Sequence, residues 1–159
     1  MSAASHTSRS TMHHYRHLLV MTALSFAAMY VLMYAMVDSL PNVYNNVNQV
    51  YMAGLMAAAM VLIELAVMRG MYPNGKLNTA IAVASVIALA ALWALVRDQS
   101  AVGDRQFLRS MIPHHASAIL MCEKAPVRDP EIKELCESIK ASQSAEIAQM
   151  KAKLAALRG

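Results

Sequence analysis

Five side chains with soft or borderline ligand atoms lie close together in the carboxyl-terminal third of the chain. At about 100° per residue, a helix would place all five within about 120° of arc, on one face. The set consists of Met111, His114, His115, Met121 and Cys122. Thioethers, imidazoles and a thiol favour Cu(I), and by the same softness Ag(I), over hard cations. The pattern therefore indicates a copper-binding face.

The same spacing also fits a helix that binds no metal. Methionine at helical intervals is more often a core filler than a ligand, and adjacent histidines are common on solvated helix faces. The face carries no carboxylate, which disfavours a di-iron site. A facing helix would add Cys136, Gln143 and Met150 on roughly one stripe. A further thioether would then be available to complete the coordination of an ion.

A helical hairpin must position these residues. We predict a first helix from about Asp104, as its N-cap, to Lys124, with Pro113 either kinking it or starting a second segment. Residues 125–128 form a loop, and residues 129–131, Asp-Pro-Glu, are a strong start for a second helix. Two helices cannot bury an adequate core alone, so we expect a homodimer or higher oligomer that completes a four-helix bundle.

Upstream of the hairpin the composition requires a lipid environment. The chain is 57% apolar and 15% charged, against about 45–50% and about 25% in soluble domains. Long apolar stretches occupy Leu18–Val37, Val47–Met68 and Leu77–Val96, and each is long enough to cross a hydrocarbon core of about 30 Å. The fold class is therefore all-α, with three transmembrane helices followed by the hairpin.

Basic residues near the ends of these stretches predict the orientation. Arg9 and Arg16 precede the first, none lies between the first and second, and Arg69 and Lys76 lie between the second and third. The positive-inside rule then places the amino terminus in the cytoplasm. We expect a cytoplasmic tail at 1–17, a transmembrane region at 18–97 and a periplasmic hairpin domain at 98–159, in a bacterial inner membrane.

A set of positions across the hairpin carries a family resemblance. It comprises Asp104, Phe107, Met111-Ile112-Pro113-His114-His115, Ala118, Met121, Asp129-Pro130-Glu131-Ile132, Leu135, Ile139, Gln143, Glu146-Ile147 and Met150. These residues resemble the family called domain of unknown function 305, which has a ferritin-like helical fold and CopM-like copper-binding members. The resemblance, and not the spacing, implies that the copper ligands are Met111, His114, His115, Met121 and Met150.

The two cysteines leave three alternatives open. Cys122 and Cys136 form a disulfide that staples the hairpin, bind copper as thiolates, or remain plain buried thiols. A disulfide requires the two residues to lie at matching levels, and their places near the end of one helix and two turns into the next make that match uncertain. No nucleotide-binding loop, zinc quartet or catalytic pair is present, so no enzyme is predicted.

Other methionines and histidines are weaker candidates for metal binding. Met52, Met56, Met60, Glu64 and Met68 recur at intervals of four, and Met29, Met33 and Met36 form another stripe. Both stripes fit a Cu(I) route through the membrane, but they fit ordinary helix packing better. The amino-terminal residues Met12, His13, His14 and His17 also offer ligands, although histidines at a membrane interface are common.

The sequence thus predicts a membrane-anchored periplasmic protein that binds Cu(I) for metal tolerance, storage or delivery to a periplasmic copper-handling partner. The alternative is a structural or protein-interaction module that binds no metal. The net charge of +4 is spread along the chain, which favours contact with anionic lipid headgroups over nucleic acid.

Overall fold

The computed structural model describes the backbone of residues 3–157 and the side chains of residues 13–157. Within that part of the chain all regular structure is helical, which confirms the prediction of an all-α chain. The α-helices are α1 (Ala3–Leu32), α2 (Val47–Val67), α3 (Gly75–Arg97), α4 (Asp104–Lys124) and α5 (Pro130–Ala156). Short 3₁₀ turns occupy Met33–Met36, Leu40–Asn42 and Arg69–Met71.

Three segments are long and apolar enough to cross a membrane, as predicted. They are His13–Met36, Val47–Val67 and Gly75–Arg97. Large apolar side chains on them face outward, including Leu19 at 71% exposure and Ile63 at 62%. Lipid would cover this surface, because the protein itself buries little of it. The first segment is not one uninterrupted α-helix, since α1 ends at Leu32 and a 3₁₀ turn follows.

One compact unit consists of the chain up to Val31 together with Val50–Ser100. Leu18, Val61, Leu65 and Tyr72 form its buried apolar cluster. A Cβ at Gly54 would lie 2.9 Å from Leu92 Cδ1, so any larger residue would require the Leu92 side chain to shift where α2 approaches α3. Small residues at such contacts let helices approach closely in a membrane.

The second compact unit combines Leu32–Gln49, here called the first connector, with the chain from Ala101 onward. In it, α4 and α5 enclose a core of Leu108, Ile112, Ala116, Ile119, Ile147 and Leu154. Val37 and Tyr44 of the first connector pack against this core. The Val47 amide also donates to Gln106 Oε1 at 3.2 Å. The hairpin core is therefore built partly by a segment that sequence analysis assigned to the membrane region.

The end of α4 and the start of α5 are as predicted, and the cap of α4 requires one correction. The N-cap of α4 is Gly103, and Asp104 lies in the first turn, where a carboxylate still favours the positive end of the helix dipole. The prediction that Asp104 caps the helix is therefore wrong by one position. Pro113 lies inside α4 without ending it. Asp129 caps α5 as predicted, because its side chain accepts from the amides of Glu131 and Ile132.

Candidate functional site

Among the side chains of the α4–α5 hairpin that the structure describes, His115 is the buried polar one. Its Nδ1 lies 2.8 Å from the carbonyl oxygen of Met111, one turn earlier in α4. Its Nε2 lies 2.7 Å from Glu146 Oε2 of α5. A carbonyl oxygen only accepts hydrogen bonds, so Nδ1 carries a proton and donates a hydrogen bond to the Met111 oxygen. Nε2 is thus the nitrogen that faces α5.

Glu146 is a site residue to which sequence reasoning gave no role. Its Oε1 accepts a hydrogen bond of 2.9 Å from Ser142, while Oε2 pairs with His115. The face of α4 carries no carboxylate, as noted from the sequence, but α5 supplies one across the hairpin. The available signal was its place among the positions of the family resemblance, since spacing within one helix cannot reveal a partner on another.

The adjacent histidines of the predicted ligand set have opposite environments. His114 is exposed and His115 is buried, and their ring centroids lie 5.9 Å apart. Consecutive residues in a helix diverge by about 100°, so only one of the two rings can enter the hairpin interior. The structure therefore divides the tandem pair between solvent and core.

The methionines of the predicted set fall into two groups. Met111 lies one turn before His115 and is half-buried, and Met150 packs against the hairpin core one turn after Glu146. Met121 is 58% exposed and lies six residues beyond His115, which is about 9 Å along the axis of α4. Met111 and Met150 are thus the thioethers on the turns nearest the His115–Glu146 pair.

Cys122 and Cys136 lie together across the hairpin. Both are free thiols and partly buried, and they are hydrogen-bonded to each other. This hydrogen bond, followed by burial and the charge of Cys136, raises the pKa of Cys122 above its ordinary value. The levels of the two residues therefore match, although the sequence left that uncertain.

Among the side chains that the structure describes, no three His, Cys, Asp or Glu residues converge to hold a metal ion. An ion bound at the hairpin would therefore need thioether ligands or ligands from a second copy. On α2, Met52 is 41% exposed and Met56 and Met60 are half-buried, whereas Met68 lies just beyond the end of the helix. Their exposure fits lipid contact as well as an ion route.

Comparison with known proteins identifies the family. The sequence profile of the family "Domain of unknown function (DUF305)" matches residues 52–154. An uncharacterized protein of Acanthamoeba polyphaga mimivirus is 32% identical over 136 residues, which cover 84% of this chain and 88% of the viral one. No solved structure matches the chain. The chain therefore belongs to the DUF305 family, as its sequence predicts.

Proposed function

We propose that this member of the DUF305 family is a membrane-anchored copper-binding protein whose α4–α5 hairpin binds Cu(I), with Ag(I) as the related soft ion. The observation that carries the proposal is the bonding of His115. Its Nδ1 donates to the Met111 carbonyl, which leaves Nε2 as the ligating nitrogen. Histidine ligands of metals are commonly held through their other ring nitrogen in this way.

The ligand group proposed around Nε2 consists of soft donors from both helices. Met111 lies on the same face of α4 as His115, and Met150 lies on the same face of α5 as Glu146. His114 lies exposed at the edge of this group. Cu(I) would replace the proton between His115 and Glu146, and the carboxylate would then offset the charge of the ion.

A second group of soft ligands lies nearer the loop between α4 and α5. It contains Met121 and the hydrogen-bonded thiols of Cys122 and Cys136. We propose that Met121 is a copper ligand and that the two cysteines assist it, because thiolate and thioether ligands select Cu(I). Binding there would require the thiols to lose their protons, which the raised pKa of Cys122 opposes near neutral pH.

The hairpin leaves apolar surface that a second copy would bury. Phe107 is 50% exposed, Ile132 46% and Leu135 57%. Side chains of this size on a water-facing hairpin favour association. We propose that two hairpins form a ferritin-like four-helix bundle, which would also double the soft ligands available to each ion.

We propose an orientation with the amino terminus in the cytoplasm and the hairpin in the periplasm of a bacterial inner membrane. The basic residues around the three candidate spans support it. The protein would hold copper for tolerance or storage, or pass it to a periplasmic partner.

The proposal is tested by Cu(I) titration of the full-length protein in detergent against a competing chelator. Replacing Met150 by Leu keeps the packing volume and removes the thioether, so the Met111→Leu/Met150→Leu variant should fold and bind Cu(I) at least about tenfold more weakly. Met29→Leu, in the first spanning helix, is the matched control and should bind as the wild type does. Equal affinity in all three proteins would reject the hairpin site.

The second candidate function is a protein-interaction module that binds no metal. It is favoured by the completeness of the His115–Glu146 pair, which satisfies both groups without an ion. In that case His114→Ala would leave copper tolerance unchanged, and substitution of Leu135 by Glu would abolish co-purification of the partner.

A further inference from the structure

A second pair of histidines lies where the first candidate membrane span begins. His13 Nε2 and His17 Nε2 are 3.1 Å apart, and their ring centroids are separated by 4.2 Å. Residues four apart lie one above the other on a helix, and this spacing is used by helices that present two histidines to one metal ion. The two rings thus point their Nε2 atoms toward each other.

The distance between these nitrogens suits a shared ion. Two bonds of about 2.0 Å to one metal at a near-tetrahedral angle leave the ligating nitrogens about 3–3.5 Å apart. In the present arrangement one ring donates a hydrogen bond to the other. An ion would replace that proton without moving the helix, because both rings already point to the same place.

Sulfur donors lie in the cleft beside the pair. This cleft, of about 390 Å³, is lined by His13, His17, Met21, Glu64, Met71 and Tyr72, among others. Met21 is one turn beyond His17 on the same face of α1, and Met71 belongs to the turn that follows α2. Glu64 is held by a 3.1 Å hydrogen bond from the Tyr72 hydroxyl.

We propose that His13 and His17 bind one Cu(I) ion, with the thioethers of Met21 and Met71 as further ligands. Two imidazoles with thioethers favour Cu(I) over hard cations. Both histidines are exposed, so an ion can reach them from water. All four ligands come from α1 and the 3₁₀ turn after α2, so the site does not depend on the hairpin proposal. The side chain of Met12, a candidate from the sequence, lies outside the described residues.

Copper stoichiometry of the full-length protein in lipid nanodiscs tests this site. The wild type and a His13→Ala/His17→Ala variant are titrated with Cu(I) against bicinchoninate. We expect the double variant to lose one bound Cu(I) per chain, whatever the hairpin binds. His14→Ala is the matched control, because its ring lines the same cleft but does not pair with His17, and it should keep the full stoichiometry.

Sulfur ligation is tested separately, by X-ray absorption at the copper edge in a background without the proposed sulfur ligands of the hairpin, Met111→Leu/Met121→Leu/Met150→Leu/Cys122→Ser/Cys136→Ser. Met21→Leu/Met71→Leu should remove sulfur scatterers while nitrogen scatterers remain. Circular dichroism and gel filtration confirm that each variant is folded, as expected for exposed histidines. An unchanged copper count in the His13→Ala/His17→Ala variant, or a wild type that binds no Cu(I), would overturn the proposal. A sulfur signal insensitive to Met21 and Met71 would overturn the ligand set.

Discussion

The two histidine pairs of this chain differ in spacing and therefore in what they can do. His13 and His17 are four residues apart, both are exposed, and their Nε2 atoms meet at 3.1 Å. His114 and His115 are adjacent, and one lies in solvent while the other is buried. On a helix, tandem histidines diverge and histidines one turn apart converge. The tandem pair is the more conspicuous in the sequence, yet it is the less convergent in space.

The pairs also differ in the bonds that an ion would have to replace. His115 is held by a backbone carbonyl and by a carboxylate, so binding at Nε2 competes with the contact that joins α4 to α5. His13 and His17 give up only a hydrogen bond to each other. His115 is thus both a structural residue and a candidate ligand, whereas His13 and His17, at the start of the first candidate membrane span, are free of that conflict.

The strongest test of this contrast compares His115→Ala with His114→Ala. Loss of the buried ring removes its packing inside the hairpin and leaves Glu146 Oε2 without its hydrogen-bond partner, which should cost about 3 kcal/mol of stability, whereas the exposed ring should matter by less than about 0.5 kcal/mol. Thermal unfolding of the full-length protein in detergent measures both. Similar melting temperatures for the two variants would show that His115 does not stabilise the hairpin.

Oxidation of Cys122 and Cys136 to a disulfide should raise the free energy of unfolding of the hairpin by a similar amount. A disulfide between Cys122 and Cys136 would close a loop of about 15 residues and add about 3 kcal/mol. The raised pKa of Cys122 means that few thiolates exist near neutral pH, so oxidation by diamide should accelerate as the pH rises. Mass spectrometry detects the bond, and Cys136→Ser is the control. Only intermolecular disulfides in the oxidised wild type would contradict the contact.

A smaller effect is expected when Glu146 becomes Gln. The amide keeps a hydrogen bond to His115 and loses the charge, which should cost about 1 kcal/mol. Cu(I) affinity of the hairpin should fall about tenfold, because the carboxylate would no longer offset the charge of the ion. Glu134→Gln, on the exposed side of α5, serves as the control. Tighter binding by Glu146→Gln would mean that the carboxylate competes with the metal.

The smallest effect on stability is expected at Tyr72, which lines the same cleft as His13 and His17. Burial, followed by the hydrogen bond to Glu64 and the charge of Glu64, raises the pKa of the Tyr72 phenol. A raised pKa in the folded state gives stability that is complete below the ordinary value of about 10 and is lost as the pH rises through the folded value. Tyr72→Phe should therefore cost about 1 kcal/mol at neutral pH, and the difference from wild type should shrink above about pH 10. A difference that grows with pH would contradict this.

Local signals predicted much of the fold. The spans follow from long apolar runs, and the start of α5 follows from Asp129, whose carboxylate bonds two amides within three residues. The start of α4 was placed one residue late, because Asp104 is a common cap type and Gly103 gives no side-chain signal. Contacts between segments far apart in sequence were not predictable in this way. Glu146 against His115 and Cys122 against Cys136 both depend on the register of α4 on α5, which periodicity within one helix does not determine.

Because the first connector packs on the hairpin, the segment that matches the family and the segment that folds as one compact unit have different boundaries. The family match begins at residue 52, yet Val37 and Tyr44 contribute to the hairpin core. A fragment cut at the family boundary, or at the end of the last span, would lack part of its own interior. Gene fusions that transplant this hairpin should therefore succeed only when they carry residues 32–49 with it, and a relative that replaces this connector must cover Ile112 and its neighbours by other means.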